Sequence, residues 1–502
     1  MKSSDSLFKL IKSMNGAEKG YFKKYSKING LNAGSNYLLL FDAIDSQRDY
    51  DETQFLKKFN NQPFARQFPV AKNYLYEKIL ASLDSFHHDT SSEIQKLLHS
   101  AEILFRMGLY DQALKILRKA KKMAIEQDLF SYLLEIYQWE FNIAIEKQDA
   151  GWADKINHEW EKAILLSQNT QAYRILYIKM GSLFLNYGKT RDQKVLNTIN
   201  GLLKNPFLKN ESRALTFYSK VRFYDTHFFY WCIRGDKEQM YKHAKKTITL
   251  FHSCPGKIKD QMGIYLDALG NILFISLKMR KQQEASHYLG ILKEIAKNEK
   301  SKDINAQLFY VYISHLLWYY NNMGRFDLSV KEMPDVLRNM TLYENELNQV
   351  EKALLFIHIA ISFFGVRDYK NSLLWANKIK NEISLMFRAD LYSFIKLFYL
   401  IVQYENGHID ILPNLTKSSH RFLSNIDRVS KFETIMLSFI KNKLPIITSR
   451  KDTVKYFSEL KKQIGLIGND AHLKNTNNFF DLWIESKIQN KTFKEMLQMS
   501  AD

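Results

Sequence analysis

The residue types that most often carry chemistry are scattered in this chain. Histidines cluster only at His87-His88, with Glu93 and His99 nearby. That group could suggest a metal, but the pair falls at a helix end or linker, where ligand geometry is not set. His227, His243 and His252 have no carboxylate at ligand spacing. Cys232 and Cys254 make no metal or redox pattern and read as small buried apolar residues. Gly263 and Gly270 are lone glycines in a helical stretch, not a phosphate loop. A nucleophile elbow is likewise not found. The reading is a non-enzymatic chain with no cofactor and no metal.

Basic residues make the stronger pattern. Arg213, Lys220 and Arg222 fall in or beside one helical stretch that also bears Tyr218 and Phe229. Lys242, Lys245 and Lys246 follow, then Lys257 and Lys259, then Lys278, Arg280 and Lys281. The net charge is +19, and residues 201–300 supply about half of it. Lysine and arginine neutralise phosphate, and aromatic rings stack on unpaired bases. The same residues would equally hold an acidic peptide. The candidate partner-binding set is Arg213, Tyr218, Arg222, Phe229, Lys242, Lys245, Lys246, Arg280 and Lys281. Its partner is a protein or peptide of acidic character, with nucleic acid as the alternative.

These residues must be positioned by helices. Only seven prolines occur in 502 residues, and strict two-residue alternation is scarce. At this length the chain splits into domains or extends as a stack. The N-terminus leads into a charged amphipathic helix without an apolar signal core, and no apolar stretch reaches membrane length. A cytoplasmic protein is expected.

Residues 1–90 read as a small N-terminal helical domain or cap. Helices are expected at Ser6–Met14, Ala17–Ser26, Tyr37–Ser46, Glu52–Phe59 and Val70–Phe86. Asp51 caps the fourth and Pro69 suits the first turn of the fifth. Asn60–Phe68 reads as a loop, and His87–Ser92 as a linker.

Residues 91–502 read as repeated hairpins. The first is the clearest. Ile94, Leu97, Leu98, Ala101, Leu104 and Phe105 form one apolar face that stops at Gly108. Asp111 then suits the positive end of a second helix bearing Ala113, Leu117 and Ala120. Further turns are expected at Gly151, Gly188, Gly235, Gly324, Gly365 and Gly407, with glycine-free counterparts near Arg280 and Arg450. The intervals are about 37–47 residues. Acids three residues past the turn, Asp111, Glu238, Asp327, Asp368 and Asp410, suit the next helix start. Polar breaks fall at Lys204–Ser212, His252–Lys257 and Lys300–Asp303, and Pro334 should disturb its helix. Phe217, Val221, Tyr224, Phe228 and Trp231 make one stripe, and Phe309, Ile313, Leu316, Leu317 and Tyr320 another. Most of these are expected in the core, the rest in a groove.

The run Ala101, Leu104, Gly108-Leu109-Tyr110, Ala113, Leu117, Ala120 resembles a tetratricopeptide (TPR) repeat. The later units are degenerate, and their period of about 43 residues exceeds the roughly 34 of a standard repeat. The expected fold is all-α, a right-handed α-solenoid of about eight or nine TPR-like hairpins with helices of about 16–20 residues. The resemblance implies a scaffold that binds a peptide or partner helix on its concave surface. A small helical domain before such an array also resembles the layout of bacterial peptide-sensing transcriptional regulators. In that alternative Glu52–Phe59 and Val70–Phe86, with Lys72, Asn73 and Lys78, would meet DNA. Their join of about ten residues is longer than the 3–4 of a helix-turn-helix.

Changing Gly108 to Val, which disfavours the left-handed turn, and changing Ala113 to Leu, which overpacks the hairpin, should each cost about 1–3 kcal/mol. Thermal unfolding of the two variants checks this, and unchanged stability in both would remove the repeat register.

Overall fold

The computed structural model describes residues 5–28, 36–86, 90–190, 192–298, 302–343, 346–382, 388–425, 431–467 and 479–499. His87 and His88, together with Lys300 and Ser301 of one polar break, lie outside them. Among the described residues all regular structure is helical. The chain divides into two compact units, Met1–Ile164 and Leu165–Asp502.

The first unit opens with α1 (Ser6–Ser13), α2 (Gly16–Ile28), α3 (Asn36–Asp45), α4 (Glu52–Lys58), α5 (Pro63–Arg66) and α6 (Phe68–Phe86). Reciprocal bonds between Asn15 and Glu18 form a capping box at the start of α2. Asp51 Oδ1 accepts from the Gln54 N–H and caps α4, as expected. The expected loop 60–68 contains α5, because Phe64 is buried against the rings of Phe55 and Phe59. Leu7, Ile11, Phe22, Phe41, Phe55, Leu75 and Ile79 belong to one buried cluster. A separate cluster, from Ile94 to Ala163, holds the next helices.

Those are α7 (Thr90–Arg106), α8 (Tyr110–Glu126), α9 (Phe130–Glu146) and α10 (Ala150–Tyr187). Gly108 sits at φ +72° between α7 and α8, and the Leu109 N–H closes back on the Leu104 carbonyl at 2.9 Å. Ile94, Leu98 and Ala101 are buried, as are Ala113, Leu117 and Ala120 of α8. The turn expected at Gly151 lies earlier. Gln148 takes the left-handed conformation, and Gly151 falls inside α10. The 37-residue interval to Gly188 is therefore not a hairpin. It is one helix of 38 residues that contains the boundary between the units. No glycine or proline between Gly151 and Gly181 is there to end it.

The second unit continues with α11 (Gln193–Leu203), α12 (Pro206–Lys209), α13 (Phe217–Arg234), α14 (Lys237–Ser253), α15 (Gly256–Asp260), α16 (Met262–Lys278), α17 (Gln282–Asn298), α18 (Lys302–Asn322), α19 (Phe326–Tyr343), α20 (Gln349–Gly365), α21 (Tyr369–Glu382), α22 (Ala389–Glu405), α23 (Leu412–Asn425), α24 (Lys431–Asn442), α25 (Arg450–Leu466), α26 (Phe479–Gln489) and α27 (Phe493–Met499). Sequential helices pack pairwise: α13 on α14, α16 on α17, α18 on α19, α20 on α21 and α22 on α23. The first members α16, α18 and α20 also pack side by side. This order of neighbours is compatible with an α-solenoid.

One device recurs at the helix ends. Gly235, Arg280, Gly324, Arg367 and Gly407, spaced by about 40–45 residues, all have positive φ. In each case the next N–H reaches the carbonyl five residues back: Asp236 to Trp231, Lys281 to Ser276, Arg325 to Tyr320, Asp368 to Phe363 and His408 to Gln403, at 2.8–3.2 Å. These are Schellman-type ends. Gly365, expected as a turn, instead ends α20 against the Phe326 ring, which a Cβ would overlap. Arg450 opens α25 with Ser449 as its cap, and a 3-10 turn, Leu444–Ile446, makes that connection. Pro334 leaves α19 continuous.

The left-handed residue is thus a tunable element of stability. Gly407→Ala has open space for its Cβ but φ +84°, so it should destabilise by about 1 kcal/mol. Gln148→Gly relieves a left-handed L-residue and should stabilise by about 0.5–1 kcal/mol. Denaturant unfolding of both variants checks the opposite signs.

Candidate functional site

The second unit brings polar and aromatic groups together across α13, α16, α18, α20 and the part of α10 beyond Ile164. Arg222 is only 7% exposed. Its Nη1 donates to Asp225 Oδ2 at 3.1 Å, one helical turn along α13. The guanidinium lies 4.0 Å from the Tyr177 ring centre and 5.0 Å from that of Tyr218. Tyr177 packs on Phe229 at 5.7 Å, and Phe229 stacks on Phe184 at 5.3 Å. Arg388, just before α22, lies over Phe184 at 5.4 Å and is buried.

Carboxylates complete the circuit. Asp267 on α16 accepts from Gln307 Nε2 of α18 at 2.7 Å, and the same amide reaches the Gly263 carbonyl. Glu351 accepts from the Asn348 N–H and completes the capping box of α20. Burial raises the Asp267 carboxyl above its usual range, against the charge of Arg222. Burial also raises Glu351, and the Asp267 charge adds to it. Tyr310 of α18 is pushed up by burial, with Glu351 adding and Arg388 opposing. Burial pushes Asp225 up to about 6 despite Arg222, with Asp267 adding to the rise. Burial works against the charge of Arg222, yet Asp225, Tyr177 and Tyr218 hold it firmly protonated. Arg222, Tyr177, Phe229, Phe184 and Arg388 thus follow one another in contact, and Asp267, Glu351 and Tyr310 lie near enough to feel their charges; together they are called the ring below.

Beside the ring runs a ladder of rings. Phe228 meets Phe274 at 6.5 Å, Phe274 meets Trp318 at 5.6 Å, and Trp318 stacks on His358 at 5.7 Å. One rung comes from each of α13, α16, α18 and α20. Four buried polar atoms on these helices have no hydrogen-bond partner: Arg222 Nε, Trp231 Nε1, Trp318 Nε1 and His358 Nδ1. Buried polar atoms without partners are rare and costly in a core.

Several of the basic residues singled out in the sequence are engaged by carboxylates or rings. Tyr218, Arg222 and Phe229 enter the ring, but Arg222 is buried and paired, not a free cation. Its partner Asp225 lies at i+3 on the same helix. Lys245 binds Glu284 at 2.6 Å and Lys246 binds Glu211 at 2.8 Å. Lys281 lies over the Tyr241 ring. Arg213 and Lys242 are exposed, and Arg280 is the left-handed residue of its turn. Cys232 is buried, whereas Cys254 is only half-buried. In the first unit Lys72 is held by Glu52 at 2.7 Å and Lys78 lies over Tyr74.

Asp267, Gln307, Tyr310, Glu351 and Arg388 were not singled out from the sequence. Asp267 had a signal, as the lone acid in the apolar helix Met262–Lys278. Glu351 had one in its capping spacing from Asn348. Arg388 had none. Among the described residues no group of three or more His, Cys, Asp or Glu side chains is placed to hold a metal ion, and no helix is long and apolar enough to cross a membrane.

The chain matches no protein-family model and no curated protein sequence. The geometry alone carries the functional argument.

The buried imidazoles give a pH test. Burial pulls His315 down to about 4 and His358 to about 3, the latter with help from His315. An unfolded histidine titrates near about 6.5. Below that pH the unfolded chain binds more protons, so stability falls as pH drops from 6.5 toward 4. Asp225 acts with the opposite sign in part of that window. The difference between variant and parent is therefore the readout: His358→Phe should lose less stability than the parent between pH 7 and 5 in denaturant titrations.

Proposed function

We propose that the chain is a non-enzymatic scaffold of the TPR-like helical-repeat kind. Its second unit takes an extended peptide or a partner helix against the ring around Arg222 and Asp267. In a right-handed α-solenoid the aligned helices α16, α18 and α20 would form the concave wall, which is where such scaffolds bind. The observation that carries the reading is the coincidence on these helices of aromatic rings, raised carboxyls and buried donors without partners. Aromatic anchors supply apolar area, and fixed polar groups supply register.

The ring also sharpens the chemistry of the occupant. Arg222 and Arg388 are matched by Asp225, Asp267 and Glu351, so its lining is mixed in charge and not simply basic. A backbone, with its alternating donors and acceptors, suits such a lining. Two unbridged cysteines fit action in the cytoplasm.

The test is affinity capture from the native cell followed by mass spectrometry, with parent chain, Tyr310→Ala and Asp267→Asn as baits. A partner recovered with the parent and depleted about tenfold or more with both variants is expected, since a hot-spot loss exceeds about 1.4 kcal/mol. Equal recovery with folded variants would argue against the ring as the binding face.

A further inference from the structure

In a stack of helical hairpins each unit rests on its neighbours in sequence, and contact between distant units is not required. The last two helices depart from that pattern. α26 meets four earlier helices. Phe479 packs on Phe364 of α20 and on Phe398 of α22, each at 5.2 Å. Phe480 packs on Phe432 of α24 at 5.7 Å, and Trp483 on Phe457 of α25 at 5.2 Å. Polar ties hold its far end. Glu405, the last residue of α22, accepts from Trp483 Nε1 at 2.6 Å and from Lys487 Nζ at 2.7 Å. Arg450, the first residue of α25, donates to the carbonyls of Lys487 and Ile488.

α27 reaches further back. Asn490, left-handed at φ +55°, ends α26, and the Lys491 N–H closes on the Ser486 carbonyl at 3.0 Å. Thr492 and Glu495 then cap α27 reciprocally, so its helix start is built from its own residues. The turn carries α27 to the connection between α18 and α19, although α20 to α26 lie between them in the chain. Phe493 packs 6.0 Å from Phe326, 5.4 Å from Phe364 and 4.9 Å from Phe479. Gly324 is the seat. It is the left-handed residue of its own turn, at φ +65°, and a Cβ there would lie 3.3 Å from the Lys494 carbonyl oxygen and 3.2 Å from Gln498 Cγ. Lys494 Nζ lies 3.6 Å from Asp327 beside it.

The two helices are held unequally. Phe479, Phe480, Trp483 and Ile484 of α26 are each 3% exposed or less. α27 has seven residues, of which Met496 and Leu497 are buried. Phe493 is partly buried, and the Lys494–Asp327 pair is exposed on both sides, where salt screens it. A short segment with few buried contacts opens far more readily than the core around it.

We propose that α26 and α27 form a clasp that holds the array from α18 to α25 at one curvature, with α27 as its releasable catch. With the catch closed, the α18–α19 turn is bound to the far end of the stack, and the hairpins between move as one body. With it open, each hairpin is restrained by its neighbours alone, and the curvature relaxes. The clasp uses none of the ring residues and is independent of what the ring binds.

The test joins a distance measurement to hydrogen exchange, both on the full chain. Spin labels on Lys331→Cys of α19 and Lys451→Cys of α25, both exposed positions, report the distance across the array, with Cys254→Ser removing the half-buried thiol. The parent should give one narrow distance distribution, and Phe493→Ala a broader one. Phe493→Ala should also speed exchange about tenfold or more in α27 and in the α18–α19 turn, and leave α13 and α14 unchanged. Gly324→Ala opens the catch from the other side and should speed exchange in α27. Gly407→Ala has the same left-handed cost but open space at its Cβ, and should leave α27 as it is. Circular dichroism shows that each variant folds, and either opening variant suffices for the distance measurement. A distance distribution unchanged in a folded opening variant would overturn the clasp, and so would an α27 that responds to Gly407→Ala as it does to Gly324→Ala.

Discussion

The second unit depends on one constraint: where a helix is allowed to stop. An α-helix leaves its last carbonyls without partners, and in a packed stack these cannot all reach water. A residue in the left-handed conformation reverses the chain and lets the next N–H close back on a carbonyl five residues earlier. At Gly235, Arg280, Gly324, Arg367 and Gly407 this happens at nearly constant spacing. Constant spacing means equal helices, and equal helices bring equivalent positions side by side. Phe228, Phe274 and Trp318 meet across neighbouring helices for this reason. That the device survives with arginine at two of the five positions shows that the surrounding packing offsets a backbone cost of about 1–2 kcal/mol.

The same register gathers the charges. Each of Arg222, Asp225, Asp267 and Glu351 would be expensive to bury alone. Each has a local tie: Arg222 to Asp225, Asp225 to Thr247, Asp267 to Gln307, Glu351 to the N–H of Asn348. Those ties hold the buried side chains in one arrangement. They are also incomplete, since Arg222 Nε stays buried without a partner.

Much of this was legible in the amino-acid order, and the failures have physical causes. Glycines at 108, 235, 324 and 407 mark left-handed ends because nothing else tolerates that conformation as well. Arg280 was found from spacing alone. Gly151 and Gly365 misled, because a glycine also serves where a neighbour comes close, as Phe326 does at Gly365. The repeat interval between Gly151 and Gly188 suggested two helices, whereas no glycine or proline between Gly151 and Gly181 ends the single helix α10. Side-chain direction was the larger loss. Arg222 looked like part of a basic belt, whereas Asp225 one turn away draws it inward. Glu284 and Glu211, on other elements, tie Lys245 and Lys246. Pairing between elements is not visible along a sequence.

Charge counted along the chain and charge gathered in space are therefore different quantities. Residues 201–300 hold about half of the net excess, yet several of their cations are engaged by carboxylates or rings. Excess on a solvated helix face is screened within about 8–10 Å by salt and specifies little. In a stack built from near-equivalent helices, the pairing of charges between elements, and not the total, therefore sets what each face presents.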